Sequence, residues 1–309
     1  MGTKLEYNAT LTKRLDLSSH LACFELTLDQ PIANDPAFVA GQYTTIGLNN
    51  EAKPELGSVR RPMSIASAPQ RSDALEFYIR LVAHPESDNP LTPLLWRLRV
   101  GDRLFCRNGA TGRFTVDDTI GPDDDRLKVF VAAGTGLAPF LSMLRGDANA
   151  NARSLAQYVV LHGASYAAEL GYADELTTYQ RDLGLHYLPT ISRPREVPDW
   201  TGSTGRVEDF FLPDRLTQLE ERLGLPTGGL TPDRAVVMVC GLQGTIQYSI
   251  ERLLGRGFIP DHRRIRRSLE VSETTPASLF FEQYDNTPVV DLRDPANVSR
   301  LRQLLPAHA

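Results

Sequence analysis

Two different patterns of apolar and polar positions divide this chain. ATLTKRLDL, ACFELTLDQ, QYTTIGL, PMSIAS, LEFYIRLV and DRLFCRNG are short, partly alternating runs separated by Pro, Gly, Asn and Asp. Alternation of that length, broken at close intervals, predicts short strands in an antiparallel barrel. One helix interrupts them: LTPLLWRLRV, with Thr92 at its N-cap and Pro93 at the first helical position.

The pattern changes at IGPDDDRLK, where Gly121, Pro122 and a run of aspartates read as a linker or exposed loop. Beyond it, apolar strands alternate with amphipathic helices. KVFVAAG precedes LAPFLSMLRG, AQYVVLHGAS precedes ELGYADELTTYQRDLG, LHYLPTIS precedes FFLPDRLTQLEERLG, and AVVMVCG precedes TIQYSIERLLGRG. SLFFEQY reads as a closing strand. Alternation of this kind predicts a parallel α/β sheet. The expected organisation is a barrel domain over residues 1–122, an α/β domain over 123–284 and an extension over 285–309.

Composition narrows the class. A length of 309 residues suits two domains, and 41% hydrophobic content allows each a core. A net charge of −5 argues against a general nucleic-acid binder. No apolar run is long enough to span a bilayer, and the first residues lack an apolar leader, so a cytoplasmic protein is expected. Cys23, Cys106 and Cys240 are far apart and form no CxxC pair. A chain-encoded iron–sulfur cluster, a zinc ribbon or a disulfide framework is therefore not expected, and no metal site is assigned.

Several short stretches carry candidate chemistry. In RRPMSIASAP, Arg61 offers a fixed charge and paired donors for a pyrophosphate, Met63 a polarizable apolar face, and Ser64 a hydroxyl. The competing reading is an ordinary strand that begins with arginine. In NPLT, Thr92 and the N–H groups after it stand where a helix begins, a natural anion site, although a simple cap would look the same.

GTGLAP follows a buried-looking strand and opens a helix. Gly134 and Gly136 let a pyrophosphate approach the backbone, and Pro139 suits the first helical turn. Cys240 and Gly241 end the strand AVVMVCG, at the carboxyl edge where ligands bind in such sheets; a small buried cysteine is the alternative. Ser192, Arg193 and Arg206 follow the third strand of this half, where paired arginines would hold a 2′-phosphate. In FFEQYD, Glu282 could steady a charge and Tyr284 could stack on a ring.

Taken in order, RPMS, LEFYIRLV, NPLT, TGRFTV, VAAGTGLAPF, LHGAS with ELGYADEL, TISRP, TGRVEDF, VCG and FFEQY resemble the ferredoxin–NADP reductase family, in its bacterial form, over residues 5–284. The resemblance implies an N-terminal antiparallel Greek-key barrel that binds FAD and a C-terminal parallel-sheet α/β domain that binds NADP(H). It implies FAD contacts at Arg61, Pro62, Met63 and Ser64, along Ile79, Arg80, Leu81 and Val82, and at Leu91, Thr92, Thr135 and Tyr284. It implies NADP contacts at Gly134, Thr135, Gly136, Ser165, Ser192, Arg193, Arg206, Cys240 and Gly241. Ser64, Cys240 and Glu282 would form the catalytic cluster.

The chain departs from the family pattern at four places. Met63 stands where the family usually has Tyr, Asn89 where Gly is common, and Ser165 where bacterial relatives often carry a third phosphate-binding Arg. The fourth is the segment after Tyr284, an aromatic that in relatives lies at or near the C-terminus. ANVSRLRQLL, preceded by Asp294 and Pro295, predicts a short amphipathic helix packed on the body or on another subunit; covering the adenine end of FAD is the alternative.

The resemblance implies an FAD-dependent enzyme that moves hydride between NADPH and flavin, and single electrons between flavin and ferredoxin or flavodoxin. Such carriers tend to be acidic. Arg263, Arg264, Arg266 and Arg267 in DHRRIRRSLE would steer one, unless they belong to a solvated loop. The rival readings are a reductase serving an oxygenase, a free-flavin reductase and a non-catalytic flavin sensor.

Overall fold

Alternating burial builds the first sheet. β2 (Leu21–Leu28) buries Phe24, Leu26 and Leu28 and turns Cys23, Glu25 and Thr27 outward, as a half-buried strand must. It pairs antiparallel with β1 (Ala9–Ser18) on one side and β5 (Ala74–Arg80) on the other. β3 (Tyr43–Asn49) pairs with β4 (Ser58–Ser64) and β6 (Arg103–Cys106), and β6 returns to β1. The six strands run β4-β3-β6-β1-β2-β5, every pair antiparallel. The two edge strands approach each other, because the Ala66 N–H, just past β4, donates to the Glu76 carbonyl of β5 at 2.8 Å. This is Greek-key connectivity in a barrel-like sheet.

The computed structural model describes residues 4–34, 36–151 and 154–306. They fall into two compact units: Met1–Thr119 with Leu137–Arg153, and Ile120–Gly136 with Ser154–Ala309. Phe24, Ile46, Leu75, Phe77, Leu95 and Leu104 fill the barrel. Two short helices complete the first unit's loops, α1 (Leu91–Leu95) and α2 (Val116–Thr119), the latter capped by the Thr115 hydroxyl accepting the Asp118 N–H at 3.0 Å.

The helix expected over LTPLLWRLRV is shorter and differently capped. Pro90, in extended conformation, is the cap residue, and Thr92 lies inside the helix. The Thr92 hydroxyl instead accepts the Val82 N–H at 3.1 Å, tying the chain beyond β5 to α1. After Leu95 the chain tightens into i→i+3 bonds, Arg97 to Leu94 and Leu98 to Leu95, which end the helix.

The second unit is a parallel sheet of β7 (Leu127–Ala133), β8 (Tyr158–Ala164), β9 (His186–Ile191), β10 (Ser203–Thr204), β11 (Ala235–Gly241) and β12 (Leu279–Gln283). Its order is β10-β9-β8-β7-β11-β12, with every pair parallel. β11 is buried at every position, which accounts for its unbroken apolar run. α3 (Leu137–Asn151) follows β7 and is grouped with the first unit. There Ser142 donates to the Ser67 carbonyl at 2.9 Å, and Arg145 bonds Glu76 and the Ala66 carbonyl, each at 2.9 Å.

α4 (Ala173–Leu183), α5 (Pro213–Arg222) and α6 (Gln243–Leu254) are the remaining crossover helices, and α6 buries Ile246, Ile250, Leu253 and Leu254. The basic segment read as a candidate loop is α7 (Arg263–Ser268), capped by the His262 ring accepting the Ile265 N–H and seated through Ile265 and Leu269. The extension forms α8 (Pro295–Leu304), capped by Asp294, with Leu301 fully buried in the second unit's core. Arg300 and Arg302 of α8 pair with Glu251 and Glu270. Among the described residues no helix is long and apolar enough to cross a membrane, and no cluster suits a metal ion.

Candidate functional site

The order of the parallel sheet fixes where a ligand can lie. From β7 the chain proceeds outward through β8, β9 and β10, then returns to the other side of β7 as β11. The loops leaving β7 and β11 therefore diverge at their carboxyl ends, opening a crevice at the topological switch point.

That crevice is lined by the glycine loop. Gly134–Gly136 forms one tight turn between β7 and α3. Gly134 has φ +55°, and a Cβ there would meet nothing within 4 Å. Gly136 is the opposite: a Cβ would stand 2.1 Å from the Cys240 carbonyl oxygen. One glycine leaves backbone open to a ligand, and the other lets the β7 and β11 ends touch. Such an open backbone turn has the donor chemistry a nucleotide pyrophosphate requires.

The structure brings Cys240, Gly241, Glu282, Tyr284 and Thr135 together around that crevice. Cys240 pairs in register with Glu282, and the Tyr284 N–H donates to the Gly241 carbonyl at 3.3 Å. The Tyr284 hydroxyl reaches the Thr135 carbonyl in a long bond of 3.4 Å. Burial pushes the Cys240 thiol well above its ordinary pKa, the Glu282 carboxylate adds to that, and a hydrogen bond with Tyr284 opposes it. Cys240 is thus a neutral thiol rather than an activated nucleophile.

The carboxyl ends of β8, β9 and β10 carry the remaining nucleotide candidates. Backbone pairing runs past the strands: Ser192 N–H to the Ala164 carbonyl at 3.0 Å, and Arg193 N–H to the Ser165 carbonyl at 3.1 Å. Gly205 N–H bonds the Ile191 carbonyl at 2.8 Å, which sets Arg206 next along the row. Arg206 is 69% exposed, and its contact to Glu208 spans 3.9 Å. Arg193 donates to the hydroxyl of Tyr166 at 2.5 Å, a bond that holds its guanidinium still more firmly protonated.

In the first unit the candidates gather on β4, the end of β5 and α1. β4 is an edge strand paired only with β3, so Pro62 costs no ladder bond there. Arg61 and Pro62 are exposed, Met63 packs against the barrel core, and Ser64 is 9% exposed at the strand's end. Among the described residues the Arg61 side chain bonds only the Arg60 carbonyl, at 2.8 Å, leaving most of its donors for an anion. Ile79 and Arg80 end β5, Leu81 bonds the His20 carbonyl, and Val82 is tied to Thr92. Leu91 is 2% exposed and offers only backbone. α1, which carries Thr92, packs on β3 and on β4, the strand of Arg61 to Ser64. A charged donor, a thioether face, a hydroxyl and an open strand edge together fit a flavin dinucleotide. Ser64 belongs to the first unit, Cys240 and Glu282 to the second.

Two residues of this region were not singled out from the sequence. Asp285 accepts the Gln243 N–H at 3.1 Å and so caps α6, the second helix opening at the switch point. Partial burial pulls its carboxyl up, but bonds from Gln243, Gln283 and Thr287 together hold it below its ordinary value. Tyr166 is the other; its signal is its place just after LHGAS, at the carboxyl end of a parallel strand.

Comparison with known proteins agrees with this geometry. A family model for the oxidoreductase NAD-binding domain matches residues 130–250. A flavodoxin/ferredoxin–NADP reductase of Shigella flexneri is 31% identical over 223 residues, covering 71% of this chain and 79% of that one. A ferredoxin–NADP reductase of Pseudomonas aeruginosa is 32% identical over 213 residues, covering 66% of this chain and 73% of that one. Among solved structures, a ferredoxin NADP+ reductase from Neisseria gonorrhoeae with bound FAD and NADP superposes with a TM-score of 0.65 at 21% identity, covering 89% of this chain and 97% of that one. At that identity the likeness is one of fold.

Proposed function

Since the chain belongs to the ferredoxin–NADP reductase family, we infer that it is an FAD-dependent oxidoreductase that moves reducing equivalents between NADPH and a one-electron protein carrier, ferredoxin or flavodoxin. The observation that carries this reading is the pair of glycines at the switch point, Gly136 closed against the Cys240 carbonyl and Gly134 open to a ligand. Bound flavin supplies the chemistry side chains lack: it takes two electrons as hydride and gives them up singly.

The chain's own residues bind and orient. Arg61 holds the FAD pyrophosphate, Met63 packs on the ring system, and Ser64 offers its hydroxyl at the ring edge. The Thr92 hydroxyl, which accepts from Val82, keeps its own O–H as a donor to phosphate. Gly134, Thr135 and Gly136 carry the NADP pyrophosphate, and Arg193 and Arg206 its 2′-phosphate, with Ser165 and Ser192 beside them. The neutral Cys240 thiol and the Glu282 carboxylate define the nicotinamide position, where placement contributes most of the rate. Tyr284 covers the same crevice. In this reading residues 1–122 bind FAD, 123–284 bind NADP(H), and 285–309 form a packed extension.

The carrier is an acidic protein met by α7. Arg263, Arg264 and Arg267 are exposed there, whereas Arg266 is held by the Ser272 and Thr275 carbonyls at 2.8 and 2.6 Å. Cys23, Cys106 and Cys240 are in no disulfide among the described residues, which suits a reducing, cytoplasmic setting.

Anaerobic titration of the purified flavoprotein tests the whole reading. NADPH is expected to bleach the flavin band stoichiometrically, at far lower concentration than NADH. Adding an acidic ferredoxin at low salt should then reoxidise the wild type faster than Arg263→Glu/Arg264→Glu/Arg267→Glu, with dye reduction equal in both. Flavin that neither nucleotide bleaches would overturn the enzyme reading, and equal losses with carrier and dye would overturn docking at α7.

A further inference from the structure

Tyr166 and Arg193 are placed side by side by the sheet itself. β8 and β9 end in register, Ala164 opposite Ile191, and their backbones stay paired for two further residues. That pairing carries the second residue after each strand, Tyr166 and Arg193, to the same level. Each then opens a short 3-10 turn from an extended or near-extended conformation, Tyr166 at φ −131° and Arg193 at φ −123°.

The contact between them is double. The Arg193 guanidinium donates to the Tyr166 hydroxyl at 2.5 Å, and its central carbon stands 5.3 Å from the centroid of the Tyr166 ring. Tyr166 is half-buried and Arg193 exposed, so the ring is the fixed partner. Among the described residues this is the only hydrogen bond of the Arg193 side chain, which leaves its other N–H groups unengaged. Arg206 stands next in the row, on the adjoining strand end.

We propose that Tyr166 is a specificity-determining residue of the nucleotide site, holding the Arg193 guanidinium ready for the 2′-phosphate of NADPH and offering its own O–H to the same dianion. The proposal depends on reading Arg193 and Arg206 as the 2′-phosphate ligands. An exposed arginine loses side-chain freedom when it grips an anion, and a guanidinium already fixed against a ring loses less. A phenol oxygen that accepts from arginine still has its proton to donate. Serine at position 165 is too short to reach as an arginine would, so one fixed cation and one hydroxyl perform what an additional mobile cation could. NADH, lacking the phosphate, gains nothing from either group.

The experiment compares Tyr166→Phe, which keeps the ring and removes the hydroxyl, with Tyr166→Leu, which removes both, and with Arg193→Ala and Arg206→Ala. Steady-state kcat and KM are measured for NADPH and NADH, with inhibition constants for 2′-phospho-AMP and 5′-AMP. Tyr166→Phe is expected to raise the NADPH KM and the 2′-phospho-AMP constant about ten- to a hundredfold, the loss of one hydrogen bond to a charged group. Tyr166→Leu should raise them further. The NADH and 5′-AMP values should move less than twofold, and kcat should hold. Equal losses for both coenzymes would show a structural role and overturn the proposal. So would an unchanged NADPH preference in both Tyr166 variants when Arg193→Ala abolishes it. If neither arginine variant alters the preference, the 2′-phosphate reading itself fails, and the proposal with it.

Discussion

In the antiparallel unit the candidate residues lie on an edge strand, the end of another strand and one short helix, whereas in the parallel unit they gather at the carboxyl ends of strands and on the loops that leave them. Arg61 to Ser64 lie on an edge strand and are paired through their backbones with β3, from Arg61 opposite Ile46 to Ser64 opposite Tyr43. Gly136 and Cys240 to Gly241 are the points at which two strand ends touch. The buried polar groups differ in the same sense. Thr44, fully buried in the barrel, donates to carbonyls of Arg107 and Gly109 at 3.1 and 2.8 Å. His162 Nε2, Glu208 Oε1, Ser249 Oγ and Arg252 Nη1 are buried with no hydrogen-bond partner among the described residues, and all belong to the second unit. We therefore expect ligand recognition to be separable from folding in the first unit and bound up with it in the second.

The sharpest way to break that comparison is Gly136→Ala. The new methyl group would collide with the Cys240 carbonyl carbon as well as its oxygen, both backbone atoms that cannot rotate away. The expected cost is about 1–3 kcal/mol of stability, as for overpacking in a core, together with loss of NADPH-dependent flavin bleaching. Gly134→Ala meets no atom within 4 Å and bears only the strain of φ +55°, about 1 kcal/mol. Chemical denaturation and the anaerobic titration check both variants. If Gly136→Ala binds nucleotide as the wild type does, the contact of strand ends is not what shapes the crevice.

Arg61→Ala makes the opposite prediction for the barrel. Arg61 is exposed and, among the described residues, bonds only its own neighbour's carbonyl, so its loss should change apoprotein stability by less than about 0.5 kcal/mol. FAD should nevertheless bind about ten- to a hundredfold more weakly, the worth of a charge-assisted contact to phosphate. Fluorescence titration of apoprotein with FAD reads the second effect, and thermal unfolding without FAD the first. A large drop in apoprotein stability would mean that site and scaffold are coupled in the barrel too.

The same contrast explains what could be read from the chain. β7, the glycine turn and the helix after it were legible because a fully apolar strand, two glycines and a helix are each local signals, and they occur in sequence. The barrel strands were legible from alternation, as in β2. Thr92 was misplaced by its type: threonine before an apolar run looks like a cap, and only tertiary pairing shows its hydroxyl committed to Val82. α7 was obscured because its cap is His262, outside the usual set, and because its charges mask the single buried face of Ile265 and Leu269. Tyr166 was overlooked for a similar reason. Its partner lies on the next strand, and no pattern along one strand displays a contact between two.

His162 bears most directly on the second unit's buried polar groups. Its ring lies wholly inside the sheet, with Nδ1 3.2 Å from the Tyr187 hydroxyl, and burial lowers its pKa from 6.5 to about 3. Between those values the unfolded chain takes up a proton that the folded ring refuses, so stability falls as pH falls from 6.5 toward 3. The expected slope is about 1.4 kcal/mol per pH unit. Above the upper value neither state is protonated and the contribution vanishes. His162→Gln stays neutral throughout, so its stability deficit at neutral pH should shrink, and then reverse if small, as the medium is acidified. Urea unfolding of both proteins at stepped pH measures this, with the window just below 6.5 the cleanest, before most carboxylates titrate. Parallel pH slopes would show that the folded protein protonates His162 as readily as the unfolded chain does, and that the interior of the parallel sheet is less closed to water than its burial implies.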